Sequence, residues 1–342
     1  MMNHTVKKRN RARPLGIFRS AIGRKPIAFV YRAVHNRRVS AITAPAAAAL
    51  PPASASPALL LGLIGTGIER SLSPALHELE AAHHGIRVHY QLIDLARWGA
   101  DAGELPGLVR AARLMGFAGL NVTHPFKEAI LPLLDDLAPA ARRIGAVNTV
   151  VFDAQGRAVG HNTDGSGWAW GVRSLLPQVD LSNVVLLGAG GAGRAIADAL
   201  LELGVRELSI HDRDAERARA LAEHLQGRAA TVRAIADPTA ALRTATGLVH
   251  ATPTGMPQYP GIPVAPALLH PGLWVAEAVY VPLQTELVRA ARARGCRVVD
   301  GGAMAVGQAL GAFRLFTGRA PDAQRMRALF ERLVVARDGA DG

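Results

Sequence analysis

The sequence predicts an α/β protein of two domains, and three observations predict it. Short apolar runs alternate with amphipathic stretches over residues 59–333, the rhythm of strands and helices in turn. One run, residues 184–187, leads into Gly188-Ala189-Gly190-Gly191-Ala192-Gly193, a Gly-x-Gly-x-x-Gly turn that opens a helical stretch. The chain has 342 residues, 49% of them apolar, which is enough for two cores. The expected architecture is an α/β substrate domain joined to a Rossmann-type, doubly wound dinucleotide-binding domain. The expected boundaries are a tail over 1–57, a first domain over 58–163 completed by 302–335, and a second over 164–301.

Residues 59–64 form an apolar run closed by Gly65 and Gly67, which reads as a buried strand. Ser71-Leu72-Ser73-Pro74 then opens a helix through His77, Leu79 and Ala82. Ser73 suits an N-cap with Pro74 at the first helical position. Hydroxyls and free amides at a helix start also suit a carboxylate ligand. A second strand covers 89–93 and a helix 105–115. Gly119-Leu120-Asn121-Val122-Thr123-His124-Pro125-Phe126-Lys127 begins as a strand and breaks at Pro125, which has no N–H for a ladder. The spacing of Phe126, Ile130, Leu131, Leu133 and Leu134 predicts a helix after it. Asn121, Thr123 and Lys127 therefore gather at a strand's carboxyl end, where open α/β sheets keep their ligands. On these residues alone a solvated surface turn fits as well as a site, and His124 reads as a bystander.

Residues 139–144 read as a short helix, and 146–151 as a strand carrying Asn148-Thr149. That polar pair needs partners, whether they are structural or a ligand's. Gly160-His161-Asn162-Thr163-Asp164-Gly165 ends a strand and opens a helix through Trp168 and Val172. Asp164 either caps that helix or supplies a carboxylate to a cleft between the domains.

After the glycine turn a helix runs through Ile196, Ala199, Leu200 and Leu203. A strand over 207–210 follows, with Asp212 just past its end, an acid about 20 residues beyond the glycines. The glycines let backbone approach a pyrophosphate resting on the helix start. Asp212 is placed to accept from ribose hydroxyls, and its charge disfavours a 2′-phosphate, which points to NAD. Arg213 and Arg217 suit such a phosphate, so NADP stays open. Helices at 215–225 and 238–246 precede a strand at 247–250. Ala251-Thr252-Pro253-Thr254-Gly255-Met256 lies past that strand, where a nicotinamide would lie. A strand over 274–279 ends at Tyr280, a helix covers 287–294, and the last strand is 297–299. Gly301-Gly302-Ala303-Met304 turns into a helix bearing Gln308, Leu310 and Phe313, and a final helix covers 323–333. These two helices are expected to pack back on the first domain, with Gln308 facing the cleft.

The net charge of +12 suggests a nucleic-acid ligand only until it is located. Residues 1–58 hold eleven Lys and Arg and no Asp or Glu, so residues 59–342 are nearly neutral. The expectation is a dispensable, disordered Ala/Pro-rich tail and a body with no nucleic-acid role. An Arg-rich, acid-free start also fits a transit peptide. No run approaches the ~20 apolar residues of a membrane span. Cys296 is the only cysteine, which suits a reducing, cytoplasmic setting. His83-His84 lack a convergent carboxylate and a shared helix face, so no metal is expected.

The motif set resembles the shikimate dehydrogenase family over about residues 58–335. Ser71-x-Ser73-Pro74, Asn121-Val122-Thr123-x-Pro125-x-Lys127, Ala146-Val147-Asn148-Thr149, Asn162-Thr163-Asp164-Gly165, the glycine loop, Ala251-Thr252-Pro253, Tyr280 and Met304…Gln308 stand in that family's order. The sequence looks most similar to the NAD-preferring quinate/shikimate members. Asp212 stands where NADP-dependent members typically have Asn, while Arg213 keeps the family's Arg. Ser73 is as in shikimate-specific members, whereas quinate enzymes can have Thr there.

The resemblance implies reversible oxidation of shikimate to 3-dehydroshikimate, with quinate as a second candidate substrate. It makes Lys127 and Asp164 the acid–base pair. A lysine beside a carboxylate in a closed cleft feels opposed effects on its proton, so the two are expected to titrate together. Ser71 and Ser73 are expected to hold the substrate carboxylate, and Asn121, Thr123, Lys127, Asn148, Asp164, Tyr280 and Gln308 its hydroxyls. Cofactor contacts are expected from Gly188, Ala189, Gly190, Gly191, Ala192, Gly193, Asp212, Arg213, Arg217, Ala251, Thr252, Pro253, Thr254, Val279, Gly301 and Met304. A monomer or homodimer is expected. The rival readings are a dehydrogenase of an amino-shikimate and a non-catalytic sensor on the same frame.

Overall fold

The computed structural model describes residues 58–339, so the expected tail lies outside the described residues. The chain builds two six-stranded sheets. In the first half it runs β1 (Ala58–Gly65), α1 (Ser73–His83), β2 (Arg87–Asp94), α2 (Leu105–Leu114), β3 (Phe117–Val122), β4 (Asp136–Leu137), α3 (Pro139–Ile144), β5 (Thr149–Phe152) and β6 (Ala158–His161). These strands are ordered β2-β1-β3-β5-β6-β4. β1 pairs in parallel with β2 and β3, while β5 is antiparallel to both β3 and β6. The result is a mixed sheet.

α4 (Asp164–Leu175) leads into β7 (Asn183–Leu187), α5 (Gly191–Glu202), β8 (Glu207–His211), α6 (Ala215–His224), β9 (Thr231–Ala234), α7 (Thr239–Leu242), β10 (Gly247–His250), β11 (Trp274–Glu277), α8 (Glu286–Ala293) and β12 (Arg297–Val299). The order β12-β11-β10-β7-β8-β9 is parallel throughout. It reverses direction between β7 and β10, which is the doubly wound order. α9 (Gly301–Thr317) and α10 (Ala323–Gly339) then return and pack on α1 of the first half.

Burial follows strand alternation. Val184 and Leu186 of β7 enter one core, and Val185 and Leu187 the core on the opposite face. Leu120, Val122 and Val150 pack with Phe126 and Ile130 on one side of the first sheet. Each fully buried Leu, Leu120 and Leu186 among them, contributes about 1.5–3 kcal/mol relative to exposure. α4 and α9 cross at backbone contact. A Cβ on Gly307 would sit 2.2 Å from the Gly167 carbonyl oxygen, and one on Gly167 would sit 2.3 Å from the Gln308 nitrogen.

Several expectations are corrected. No helix follows Pro125. Residues 124–130 are turns and Leu131–Leu133 a single 3-10 turn, because Pro132 removes an N–H from the middle of the stretch. Phe126 and Ile130 are buried anyway, so their spacing reflects a core contact and not a helix. Ser73 is itself helical, with Leu72 at the N-cap, and the Ser71 hydroxyl accepts from Ser73 N at 3.3 Å. The strand expected over 146–151 begins only at Thr149, and the helix expected over 238–246 is the short α7. The strand at 274–279 stops at Glu277, since Glu277's own carboxylate takes the Val279 N–H. β4 and β9 are strands that the apolar patterning did not mark.

Candidate active site

Lys127 is placed by backbone bonds on both sides of its turn. Thr123 N donates to Ile64 O at 2.9 Å, Thr66 N donates to His124 O at 3.2 Å, and Val147 N donates to Lys127 O at 2.8 Å. The His124–Pro125 peptide is cis. Asp164 is the first residue of α4, whose N-cap is Thr163, and the Asn162 side chain steadies that start. The Asn162 Oδ1 accepts from Asp164 N at 3.0 Å, and its Nδ2 donates to Ala146 O at 3.0 Å. The Asp164 carboxylate is thus not the cap and turns to the cleft. Its Oδ2 lies 2.5 Å from Lys127 Nζ, with the two side chains 5% and 16% exposed. Its Oδ1 accepts from Asn148 Nδ2 at 2.8 Å.

The polar pair Asn148-Thr149 satisfies itself inside the protein. Asn148 Oδ1 accepts from Thr163 N at 2.8 Å and from Thr149 Oγ1 at 3.0 Å. Asn121 Nδ2 donates to Asn148 O at 3.2 Å and to Thr149 Oγ1 at 3.0 Å, and Asn121 Oδ1 accepts from the Tyr90 hydroxyl at 2.7 Å. Tyr90 is a site residue that the sequence reading missed. The alternation of β2 was the available signal, since it turns Val88, Tyr90 and Leu92 to one face, and Tyr90 pairs with buried Leu61. Burial raises the Tyr90 pKa against the lowering effect of a hydrogen bond with Ser73. Burial likewise raises that of Tyr280, which bonds with Ser71 and feels the charges of Arg337 and Asp164.

Ser71, Ser73, Tyr90, Asn121, Lys127, Asn148, Asp164 and Tyr280 are thereby brought into one cluster. Thr123 stands beside it, half-buried, with its methyl where a Gly65 side chain would go. Gln308 is tied to it only through the α4–α9 crossing. Its backbone packs on Gly167 and its Nε2 donates to Ala305 O of its own helix. His124 is exposed on the Lys127 turn, and desolvation together with the Lys127 charge holds its pKa below the usual histidine value.

The glycine loop forms the other wall. A Cβ on Gly193 would lie 1.9 Å from the Gly188 carbonyl oxygen, and Gly188 has φ +106°, so neither position accepts a side chain. Gly190 faces open space. The first N–H groups of α5 have no intrahelical acceptor. Open space in front of free donors fits a pyrophosphate. Asp212 follows β8. Its Oδ2 accepts from Ala189 N at 2.8 Å and its Oδ1 from Asp214 N at 3.0 Å, which leaves each oxygen a further lone pair for a hydroxyl donor. Arg213 is exposed, and Arg217 lies 3.6 Å from Asp214. Gly191 joins the two walls, since a Cβ there would lie 3.1 Å from the Cβ of Lys127.

On the far side of the loop, Gly188 packs on Ala251 and Thr252. Thr252 Oγ1 is bonded by Thr254 N at 3.3 Å, and Pro253 lies between them. Gly301 packs on the Val279 carbonyl, and Met304 is buried one turn further along α9. Contacts thus join Asp212 to Ala189 and the glycine loop to Ala251 and Thr252, and separately join Val279 to Gly301. Chemically, the site sets a lysine–carboxylate pair beside hydroxyls and amides, next to a helix start whose N–H groups face open space.

Three family models match in register. They are the shikimate dehydrogenase substrate binding domain over residues 63–150, shikimate/quinate 5-dehydrogenase over 172–258, and the shikimate 5′-dehydrogenase C-terminal domain over 303–329. A shikimate dehydrogenase (NADP(+)) of Streptomyces avermitilis is 58% identical over 274 residues, covering 79% of this chain and 94% of that one. A quinate/shikimate dehydrogenase (NAD(+)) of Corynebacterium glutamicum is 48% identical over 279 residues, covering 80% and 98%. The solved quinate dehydrogenase from Corynebacterium glutamicum in complex with NAD superposes with a TM-score of 0.74 at 46% identity, covering 81% of this chain and 100% of that one.

Proposed function

The chain belongs to the shikimate dehydrogenase family and has shikimate dehydrogenase activity with NAD or NADP, and we propose that Lys127 and Asp164 are the acid–base pair of that reaction. The observation that carries the proposal is the 2.5 Å contact between Lys127 Nζ and Asp164 Oδ2 in the cleft. Hydride acceptance is the chemistry that the nicotinamide cofactor supplies when bound. The protein's task is the proton. As the substrate hydroxyl is oxidised to a ketone, Lys127 and Asp164 take its proton at Nζ or Oδ2, and in the reverse direction they return it. Asn148 holds Oδ1 and so keeps Oδ2 turned to Lys127.

Ser71 and Ser73, steadied by Tyr280 and Tyr90, hold the substrate carboxylate. Thr123, Lys127 and Asp164 take its hydroxyls directly, with Tyr280 and Gln308 completing that set. Asn121 and Asn148 have most of their amide capacity used inside the protein, so they act chiefly by keeping the others in place. A site built to pair hydroxyls rejects analogues that lack them.

Gly188 through Gly193 would hold the cofactor pyrophosphate, Asp212 the adenosine ribose, and Ala251, Thr252, Pro253, Thr254, Val279, Gly301 and Met304 the nicotinamide side. We read the cofactor preference as NAD. The Asp212 carboxylate is anchored to the loop through Ala189 N, so it cannot swing away from a 2′-phosphate. Asp214 competes with such a phosphate for Arg217. The NADP(+) relative, at 58% identity, is more similar than the NAD(+) relative at 48%, against the expected greater similarity to NAD-preferring members, so the argument for NAD rests on Asp212 alone. Quinate is the second candidate substrate, favoured by the names of the Corynebacterium proteins.

One kinetic matrix tests these readings, with NAD and NADP each assayed against shikimate and quinate. The expected result is turnover of shikimate with a higher kcat/KM for NAD than for NADP. A preference for NADP would overturn the argument from Asp212, and absence of shikimate turnover would overturn the substrate reading.

A further inference from the structure

Beneath the cofactor edge of the second sheet lies a buried pair that the proposed reaction does not use. His250 ends β10 and Glu277 ends β11, directly opposite each other in the parallel register. Both side chains are fully buried. The Glu277 Oε1 lies 2.8 Å from His250 Nδ1 and accepts from Val279 N at 2.9 Å, while its Oε2 accepts from the Thr285 hydroxyl at 2.9 Å. Thr285 in turn caps α8 by accepting from Val288 N at 3.2 Å. On the other side, His250 Nε2 lies 2.5 Å from Thr252 Oγ1, which also bonds with Thr254.

The donors fix the direction of this chain. Val279 N–H and the Thr285 hydroxyl both point protons at the carboxylate, so Glu277 is the acceptor and His250 carries a proton on Nδ1. The ring is then locked, and Nε2 is aimed at Thr252. A carboxylate that orients an imidazole in this way sets what the second ring nitrogen meets. A buried polar chain in which every member is satisfied is rigid, and breaking one link leaves a neighbour unpaired.

We propose that Glu277 and His250 are positioning residues that hold the two arms of the nicotinamide edge. One arm runs from His250 to Thr252 and Thr254, where Thr252 packs against Gly188 of the phosphate loop. The other runs from Glu277 through the Val279 N–H to Tyr280, which bonds with Ser71 on the substrate side. The arms differ in what they touch. His250 reaches only the cofactor arm, whereas Glu277 supports both. This inference rests on the reading of that edge as the cofactor site.

The test compares His250→Asn with Glu277→Gln. The asparagine amide can replace Nδ1 toward Glu277 and is too short to reach Thr252. Glutamine keeps the size of Glu277 and loses its ability to accept on both oxygens. His250→Asn is expected to raise the cofactor KM and weaken NAD(P)H binding about tenfold, the scale of one buried hydrogen bond left unmade, with the shikimate KM unchanged. Glu277→Gln is expected to raise both KM values. A merely structural pair would lower the melting temperature in both variants with no split between the two KM values, and that result overturns the proposal. An equal rise of both KM values in His250→Asn also overturns it. NAD(P)H binding is read by fluorescence titration, which needs no turnover. A wild-type chain that binds NAD(P)H without oxidising shikimate would therefore refute the substrate reading, and unchanged NAD(P)H affinity in His250→Asn would then overturn this proposal. A wild-type chain that binds no NAD(P)H would overturn both. Should Glu277→Gln not fold, His250→Asn alone decides.

Discussion

Lys127, partly buried, and His77, fully buried, show how differently two ionisable side chains are treated. Lys127 meets the Asp164 carboxylate and keeps 16% of its side chain exposed. Replacing it with alanine leaves Asp164 held by Asn148 while removing half of the proposed acid–base pair. Lys127→Ala is expected to lower kcat at least ~100-fold, the usual scale of acid–base assistance, with the shikimate KM moved much less. Steady-state kinetics check this, and unchanged kcat would refute the role. His77 meets no partner at either ring nitrogen. It is stacked against Tyr90 at 5.0 Å, with Phe313 and Phe316 beyond, and burial pushes its pKa down to about 4 from an ordinary 6.5. A histidine lowered in the folded state contributes stability that is complete above its unfolded pKa. That stability is lost as pH falls from 6.5 toward 4, where the unfolded chain takes the proton first. The loss amounts to about 3 kcal/mol across that window. Melting curves from pH 7 to pH 4 should fall steeply for the wild type and more gently for His77→Phe.

Among the elements, the crossing of α4 and α9 carries the most consequence for the site. α4 begins at Asp164 and α9 bears Gln308, and the two helices touch through Gly167 and Gly307 with no side chain between them. A methyl at Gly307 would force the helices apart by pressing on the Gly167 carbonyl. Gly307→Ala is expected to cost about 1–3 kcal/mol, the range for overpacking a close contact, and to shift Asp164 away from Lys127. Chemical denaturation and kcat measured on the same variant check both parts. The glycine motif was legible in sequence because Gly188 has a left-handed φ and Gly193 presses on the Gly188 carbonyl five residues back, both reasons local to the turn. Gly167 and Gly307 were not, because what they exclude is 140 residues away along the chain. The failed helix after Pro125 has the same origin. Its apolar spacing is real, but Phe126 and Ile130 answer to the core under the first sheet.

At the scale of the whole molecule, the two sheets are tied by more than the cleft. Arg143 of α3 donates to Asp198 of α5 at 2.7 and 2.8 Å and to Glu202 at 2.6 Å, and Arg228 donates to the same Asp198 at 2.5 Å. Burial tends to raise the Asp198 pKa, yet the bonds from the two arginines outweigh it and hold it below the usual value. Asp198→Asn leaves two guanidinium groups without their shared counter-charge. The expected cost is about 2 kcal/mol, toward the lower side for a buried pair because Arg143 is partly solvated. Urea denaturation checks this, and a loss that shrinks in high salt would mark it as electrostatic. No helix among the described residues is long and apolar enough to cross a membrane.

The sequence by itself determined the alternation of strands and helices, the glycine turn that opens α5, and the candidacy of Lys127, Asp164 and Asp212. Each of these is written in local periodicity or in a motif whose chemistry needs no distant neighbour. Only the tertiary structure decided what those residues face. It brought Asn148 onto Asp164, Tyr90 onto Asn121, and Gly191 against Lys127. It also paired His250 with Glu277 across adjacent strands. These are contacts between segments far apart in the chain, and spacing along a sequence carries no record of which segments meet.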